Sequence, residues 1–253
     1  FKSPFSNGAI LADEVGLGKT IEAGILLSQQ WAERKRRILI IVPSSLRKQW
    51  QLELMEKFFL PSIIMENNEF NKINDNGKRN PFEQDKIVIC SYNFVSNKDE
   101  YVMRVNWDLV IIDEAHRLRN VWKPENKTAN KIKTALKNRK KVLLTATPLQ
   151  NSLMELYGLI SFVDEFTFGD KKSFKEQFIR LSDEEEEFDD LKERLRLVCN
   201  RTLRNQVQEY IKYTKREALT QFFTPSADEQ KLYDEVSEYL QRETIYGINP
   251  KVR

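Results

Sequence analysis

The sequence predicts an α/β fold with a central, mainly parallel sheet and a helical protrusion late in the chain. From Gly8 to about Asp164, short apolar runs rich in β-branched residues alternate with helical stretches, a pattern typical of parallel strands joined by helices. A glycine loop joins the first strand to the first helix. From about Glu165 the residue pattern changes, and apolar residues recur at helical spacing.

The first strand leads into a loop suited to nucleotide phosphates. The apolar run 8–12 ends at residues 13–18, and helical spacing resumes at Thr20. Gly16 and Gly18 permit unusual backbone conformations, so loop N–H groups and the helix N-terminus can converge on an anion. Lys19 is placed to reach the β- and γ-phosphates, and the Thr20 hydroxyl to ligate Mg²⁺. The expected ATP-binding residues are Asp13, Glu14, Val15, Gly16, Leu17, Gly18, Lys19 and Thr20.

This loop departs from the general phosphate-loop pattern at one position. The pattern has glycine where this chain has Asp13, so an ordinary glycine turn before a helix is the alternative interpretation. The strand–loop–helix context favours the phosphate loop.

The apolar run 107–112 delivers an acidic pair to the carboxyl edge of the sheet, where ligand sites of open α/β sheets lie. We expect Asp113 to hold Mg²⁺, through water, and Glu114 to orient or deprotonate the water that attacks the γ-phosphate. His116 is the only histidine in the chain. A lone histidine is more often structural than catalytic, but its place favours coupling the nucleotide site to neighbouring elements over metal binding. The expected catalytic residues are Glu114, Lys19 and Asp113.

Three motifs carry a resemblance to a known family. Residues 113–116, Asp-Glu-Ala-His, are similar to the box that names the DEAH-type helicases of superfamily two. The longer segment 113–120 and Leu-Leu-Thr-Ala-Thr-Pro-Leu-Gln-Asn at 143–151 resemble the Swi/Snf-type double-stranded DNA translocases. The sequence of residues 13–24 resembles that of the bacterial, RapA-like branch, whose variant of the loop includes Asp13. The resemblance extends from about Gly8 to about Tyr239.

The resemblance implies further site residues. The strand and helix start at 38–46 match a motif that contacts the DNA backbone, and 87–92 resembles a second DNA-tracking motif. The implied DNA-binding residues are Ser44, Ser45, Arg47, Lys48, Ser91 and Tyr92. Ser44 or Ser45 can also cap the following helix, and Trp50 is expected in the core. Thr145 and Thr147 match a motif that couples hydrolysis to lobe movement, with turn hydroxyls bonding to backbone as the alternative.

Composition is compatible with this function without indicating it. The 253 residues carry a balanced charge of formally +3, and the basic clusters 34–37 and 137–141 precede predicted strands, so we interpret both as solvated loops. Cys90 lies in a strand pattern and Cys199 in a helical one, with no metal or disulfide spacing. No apolar stretch approaches membrane-spanning length. We expect a cytoplasmic, bacterial protein without a membrane partner.

The expected domains follow the changes of pattern. Residues 1–165 form a RecA-like ATP-binding lobe, with a surface loop at 66–86, and 166–213 form the helical protrusion with helices at 171–180 and 188–200. Residues 214–243 return as a strand, at 216–224, and an amphipathic helix from about 225, and 244–253 form a linker. The acidic run 183–187 is expected as a solvated loop and first helical turn.

The function implied is the first motor lobe of an ATP-dependent double-stranded DNA translocase that uses ATP and Mg²⁺. Its expected partners are double-stranded DNA and a second RecA-like lobe of the same protein, without which the isolated chain should be nearly inactive as a DNA-dependent ATPase. The alternatives are the corresponding lobe of a strand-separating helicase or restriction-type translocase, and a non-enzymatic ATP-binding scaffold. The sequence leaves the remodelled partner open among RNA polymerase, another DNA-bound protein, and a restriction or repair partner.

Overall fold

A parallel sheet organises the chain. The computed structural model describes residues 7–75, 77, 80–180, 185–207 and 219–241. The strands are β1 (Gly8–Leu11), β2 (Ile38–Val42), β3 (Ser62–Ile64), β4 (Ile87–Ser91), β5 (Leu109–Asp113), β6 (Lys141–Leu144) and β7 (Cys199–Asn200). Across the described residues they form one sheet in the order β3-β4-β2-β5-β6-β1-β7, and every pair is parallel. The predicted α/β class and parallel sheet are confirmed.

Helices cover both faces of this sheet. The helices that the structure describes before residue 200 are α1 (Lys19–Ala32), α2 (Arg47–Phe58), α3 (Asn67–Asp75), α4 (Tyr92–Asn97), α5 (Asp99–Met103), α6 (Lys127–Ala135), α7 (Leu153–Val163), α8 (Lys171–Lys175) and α9 (Glu185–Arg196). A further helix, α10 (Ala227–Gln241), belongs to a separate compact unit. Leu39 and Ile41 belong to one apolar cluster, and Ile38 and Ile40 to the other. Successive strand residues point to opposite faces, so strands buried on both sides must be apolar throughout.

The predicted surface loop at 66–86 is wrong in part, because this segment includes helix α3. Phe70 and Phe82 are buried and belong to an aromatic cluster with Tyr101 and Trp107. The Phe70 ring centroid lies 5.9 Å from that of Phe82 and 5.0 Å from that of Tyr101. The segment is mostly polar, so its sequence pattern does not predict that Phe70 and Phe82 are buried. Asn76 lies outside the described residues.

The return to the sheet occurs earlier than predicted. Helix α9 ends at Arg196, and the chain then forms β7 beside β1, so Cys199 lies in a strand and not in the predicted helix. Residues 219–226 have no regular structure, which contradicts a strand over 219–224, and residues 216–218 lie outside the described part. Of the acidic run, 183 and 184 lie outside it as well, while Glu185 begins α9.

The chain divides into two compact units, Phe1–Ile211 and Lys212–Arg253. The second unit contains the predicted final helix, α10, which begins at Ala227. Whether residues 214–243 belong to the first lobe stays a prediction. Within the described residues, none of the helices is long and apolar enough to cross a membrane.

The two basic clusters are less solvated than predicted. Lys141 is 4% exposed, and its Nζ donates to the carbonyl oxygens of Leu136 at 3.0 Å and Arg139 at 2.7 Å. Burial lowers the pKa of this amine to about 8. Arg37 is half-buried, and its backbone N–H donates to Asp108 Oδ2 at 3.0 Å. Both residues connect the amino edge of the sheet to neighbouring loops.

Candidate nucleotide-binding site

The loops after β1, β5 and β6 meet at the carboxyl edge of the sheet. These three strands are neighbours in the order β5-β6-β1, and all run in the same direction. The phosphate loop, the acidic pair and the segment 145–151 therefore lie at one edge. Ligand sites in open parallel sheets are found at this edge.

The phosphate loop has the backbone conformation that its glycines were predicted to supply. Gly16 has φ +85° and Gly18 has φ +90°, a left-handed region that residues with a Cβ rarely adopt. Gly18 is also the N-cap of α1, and no side chain caps this helix end. The first turn of α1 therefore presents its N–H groups and the positive end of its dipole toward the loop.

Lys19 holds the loop together from inside. Its Nζ donates to the carbonyl oxygen of Asp13 at 2.7 Å and to that of Glu14 at 3.2 Å. Glu22 on α1 contacts the Asp13 carboxyl, and its pKa is raised by partial burial and by the charge of Asp13. The loop thus surrounds the Lys19 ammonium with oxygen atoms. An incoming phosphate would replace these acceptors with a full negative charge.

Asp113 ends β5 with both carboxylate oxygens bonded. Its Oδ2 accepts a hydrogen bond from Trp50 Nε1 at 2.8 Å, and its Oδ1 accepts from the Glu114 N–H at 2.9 Å. Burial raises the pKa of this carboxyl, while the Trp50 bond and the Lys19 charge oppose the rise. The sequence predicts only core packing for Trp50. The structure confirms its burial and adds a polar contact to the expected metal ligand.

Glu114 follows in a strained conformation. Its φ of +52° and ψ of +45° place a residue with a Cβ in the left-handed region, at a cost of roughly 1–3 kcal/mol. His116 Nδ1 lies 3.1 Å from Glu114 Oε2 but makes no hydrogen bond with a described residue. Such strain is concentrated at functional sites.

Ser91 and Tyr92 have internal partners. Ser91 Oγ accepts from the Phe94 N–H and caps α4, while the Tyr92 hydroxyl donates to the Asp113 carbonyl at 2.5 Å. Burial, and then the Asp113 charge, raise the pKa of the Tyr92 phenol. Both residues are less than 9% exposed, so neither side chain is open to a DNA backbone in this structure. The expected DNA contact is therefore at odds with their burial. The structure indicates instead that Tyr92 supports the acidic pair.

The other expected DNA contacts lie on the surface. Ser44, Ser45 and Lys48 are exposed and Arg47 is half-buried, in a 3₁₀ turn at Ser44–Leu46 and the first turn of α2. Neither helix start has a side-chain cap, so the predicted capping by Ser44 or Ser45 is wrong. Arg47 Nη1 lies 3.1 Å from Glu66 Oε2. Contact of these four residues with DNA stays a prediction.

Thr145 connects the end of β6 to the phosphate loop. Its N–H donates to the Leu11 carbonyl at 3.0 Å, and its Oγ1 accepts from the Thr147 N–H at 3.2 Å. The second bond is the turn-stabilising role that was the alternative for Thr145. Thr147 is exposed. The coupling role of Thr145, Thr147 and His116 stays a prediction.

A buried carboxylate links the acidic-pair segment to the segment 145–151. Glu155 on α7 is 5% exposed and accepts from the Asn151 N–H at 3.1 Å, and Arg119 Nε lies 3.4 Å from its Oε1. Burial alone would raise the pKa of Glu155, but the Asn151 bonds and the Arg119 charge outweigh it and lower the pKa. Arg119 Nη1 also donates to Gln150 Oε1 at 2.6 Å. Sequence reasoning missed Glu155, whose only signal is an acid within an apolar helix.

This chain is similar to known proteins in sequence and in fold. A family model described as the SNF2-related domain matches residues 3–251. The uncharacterized ATP-dependent helicase YqhH of Bacillus subtilis (strain 168) is 37% identical over 233 residues, which are 90% of this chain and 39% of that protein. The RNA polymerase-associated protein RapA of Pectobacterium carotovorum subsp. carotovorum (strain PC1) is 40% identical over 172 residues, 65% of this chain and 18% of RapA.

Solved structures give the same result. The Sulfolobus solfataricus SWI2/SNF2 ATPase core, solved in complex with double-stranded DNA, matches with a TM-score of 0.63 and 26% identity, over 78% of this chain and 40% of that one. A second structure, of the Sulfolobus solfataricus SWI2/SNF2 ATPase core domain, matches with a TM-score of 0.60 and 25% identity, over 81% of this chain and 40% of that one. The chain thus spans about two fifths of these structures and less of RapA.

Proposed function

Because the chain belongs to the SNF2-related domain family, we propose that it is the ATP-binding first motor lobe of an ATP-dependent double-stranded DNA translocase. One observation carries the proposal. The phosphate-loop lysine and the acidic pair, which are separated by more than 90 residues in the sequence, meet at one edge of the sheet, close enough for the Lys19 charge to oppose the rise that burial causes in the Asp113 pKa.

The residues at this edge fit Mg·ATP. The two left-handed glycines and the uncapped start of α1 offer N–H groups to phosphate oxygens. Mg²⁺ prefers a few oxygen ligands together with nucleotide phosphates, which suits one carboxylate, Asp113, and one hydroxyl, Thr20. A site for a metal bound by protein alone would need more ligands, and among the described residues no group of three or more His, Cys, Asp or Glu side chains could hold a metal ion. Bound Mg²⁺ would neutralise charge on the β- and γ-phosphates.

The remaining roles belong to the chain itself. Lys19 exchanges its loop carbonyls for phosphate oxygens when ATP binds. Glu114 orients the attacking water and accepts its proton. The left-handed backbone at this residue sets the direction of its Cα–Cβ bond. His116 contacts Glu114, and Thr145 and Thr147 lie on the loop after β6, so these three residues are placed to transmit the nucleotide state.

The DNA partner and the setting are parts of the same proposal. Exposed Ser44, Ser45 and Lys48, together with Arg47, would contact the phosphate backbone of double-stranded DNA. A second RecA-like lobe would complete the ATP site. The RapA relatives are named as RNA polymerase-associated, so RNA polymerase or another DNA-bound protein is the proposed target of remodelling. The free cysteines Cys90 and Cys199 are compatible with a reducing, bacterial cytoplasm.

Steady-state ATP hydrolysis by the intact protein that contains this chain, with and without double-stranded DNA, tests the proposal. DNA should stimulate turnover. Lys19→Ala should weaken Mg·ATP binding, and Glu114→Gln should keep binding but lower turnover about 10²–10⁴-fold, because a positioned base is lost. Glu100→Gln, an exposed acid on α5, is the matched control. The isolated chain should hydrolyse far more slowly, since an arginine finger from a second lobe is worth about 10³–10⁵ in rate.

Four results would contradict parts of this proposal. Normal turnover in Glu114→Gln would place the base elsewhere. Equal rates of the isolated chain and the intact protein would show that the catalytic machinery is complete without a second lobe. ATP binding that does not depend on DNA and is not followed by hydrolysis would favour an ATP-binding scaffold. Displacement of a DNA strand would favour a strand-separating helicase.

A further inference from the structure

The segment after α9 follows the phosphate loop residue by residue. The N–H groups of Ile10, Ala12 and Glu14 donate to the carbonyl oxygens of Val198, Asn200 and Thr202, at 2.7, 2.7 and 3.1 Å. The alternate spacing on both sides is that of a parallel ladder. The pairing of β1 with β7 therefore continues beyond Leu11 into the loop itself, and the chain leaving the helical segment forms one wall of that loop.

Side chains and N–H groups strengthen this wall. The Thr202 N–H donates to Asp13 Oδ1 at 2.6 Å, and the Arg204 N–H donates to Glu14 Oε2 at 2.6 Å. The Arg204 guanidinium then grips the next residue, because Nε and Nη2 donate to the Val15 carbonyl at 3.2 and 2.6 Å. The planar guanidinium group can donate two hydrogen bonds to one oxygen, and a lysine ammonium does not reproduce this geometry.

The two hydrogen bonds from Arg204 to the Val15 carbonyl also constrain Gly16. The described peptide bonds include none in the cis form, so the Val15 carbonyl and the Gly16 N–H point in opposite directions across one rigid plane. Holding that carbonyl also fixes the direction of the Gly16 N–H. The Arg204 side chain also lies near Gly16, where Nη2 would be 3.5 Å from an added Cβ.

We propose that Arg204 is a positioning residue of the ATP site, which holds the Val15–Gly16 peptide so that the Gly16 N–H is presented to the nucleotide phosphates. This inference rests on the proposed function. Arg204 acts through the loop backbone and needs no contact with the nucleotide. Because it follows α9 and β7, it also makes the end of the helical segment part of the nucleotide site.

Charge and position give different expectations for substitutions at Arg204. If the residue acts only as a nearby positive charge, Arg204→Lys should bind Mg·ATP like the wild type. If it positions the peptide, Arg204→Ala should lower the affinity about tenfold and Arg204→Lys about threefold, since two and one hydrogen bonds to the Val15 carbonyl are lost. Arg196→Ala removes an equal charge from an exposed position at the end of α9 and should change nothing.

The experiment measures Mg·ATP binding to this chain by calorimetry, together with amide hydrogen exchange in the nucleotide-free protein. The Leu17 N–H donates to the Glu14 carbonyl at 3.3 Å across the turn that contains the Val15–Gly16 peptide, so Arg204→Ala and Arg204→Lys should accelerate its exchange. Exchange in β2 and β5 should stay unchanged, which a general loss of stability would not produce. If Arg204→Ala does not fold, Arg204→Lys decides the matter alone.

Lys19→Ala separates this inference from the proposed function. Wild-type binding that Lys19→Ala does not reduce would contradict the proposed function itself. Binding that depends on Lys19 but is unchanged in Arg204→Lys, with normal exchange at Leu17, would overturn the positioning role without contradicting the proposed ATP site.

Discussion

Replacing Trp50 by phenylalanine should destabilise the protein in a way that depends on pH. The substitution keeps an aromatic ring in a buried site but removes the Nε1 hydrogen bond to Asp113 Oδ2, which measures 2.8 Å. The packing loss does not depend on pH, whereas the lost bond does, because its acceptor titrates. The Asp113 carboxyl is already costly to ionise, since burial raises its pKa above the ordinary value of 3.8.

The size of the effect follows from the charge on the acceptor. A hydrogen bond to a neutral group contributes about 0.5–1.5 kcal/mol and one to a charged group about 1.5–3 kcal/mol. Trp50 opposes the rise in the Asp113 pKa, so the variant should raise that pKa further. A raised acid pKa leaves stability complete below the unfolded value of 3.8 and lowers it as pH rises to the folded value. The deficit of the variant should therefore grow by about 1–2 kcal/mol between acid and neutral pH.

Urea denaturation followed by circular dichroism measures this difference. Unfolding free energies of wild type and Trp50→Phe are compared at about pH 4 and about pH 8, and again in an Asp113→Asn background, where the deficit should be the same at both pH values. An equal deficit at both pH values in the background that keeps Asp113 would refute the argument, because it would leave only the packing loss.

Two further predictions concern the core. Gly158→Ala should lower the free energy of unfolding by about 1–3 kcal/mol, because an added Cβ would lie 2.0 Å from the Arg119 carbonyl oxygen; an unchanged melting temperature would show that α7 moves away freely. Burial lowers the pKa of Lys141 from 10.5 to about 8, so the wild type should gain roughly 3 kcal/mol relative to Lys141→Met as pH rises through that window. Parallel denaturation curves of the two proteins at every pH would contradict a buried, charged amine.

The sequence alone determines the fold class and the segments that form the candidate site. Strands such as 38–42 are apolar at every position, and the glycine loop with Lys19 is contiguous, so both are encoded by neighbours in the chain. The same holds for Asp113 and Glu114, whose place after an apolar strand predicts the edge of the sheet at which they lie. Local periodicity and local backbone preference are sufficient for these features.

Only the tertiary structure decides which distant groups complete the site. Trp50 and Asp113 are 63 residues apart, and Arg204 and Val15 are 189 apart. Their contacts depend on strand order: β2 lies beside β5, and β7 lies beside β1. An apolar run predicts that a strand is buried but not which strand is its neighbour, because the backbone of any buried strand could pair with that of any other. The partners of the phosphate loop and of the acidic pair are therefore fixed by packing of the whole sheet.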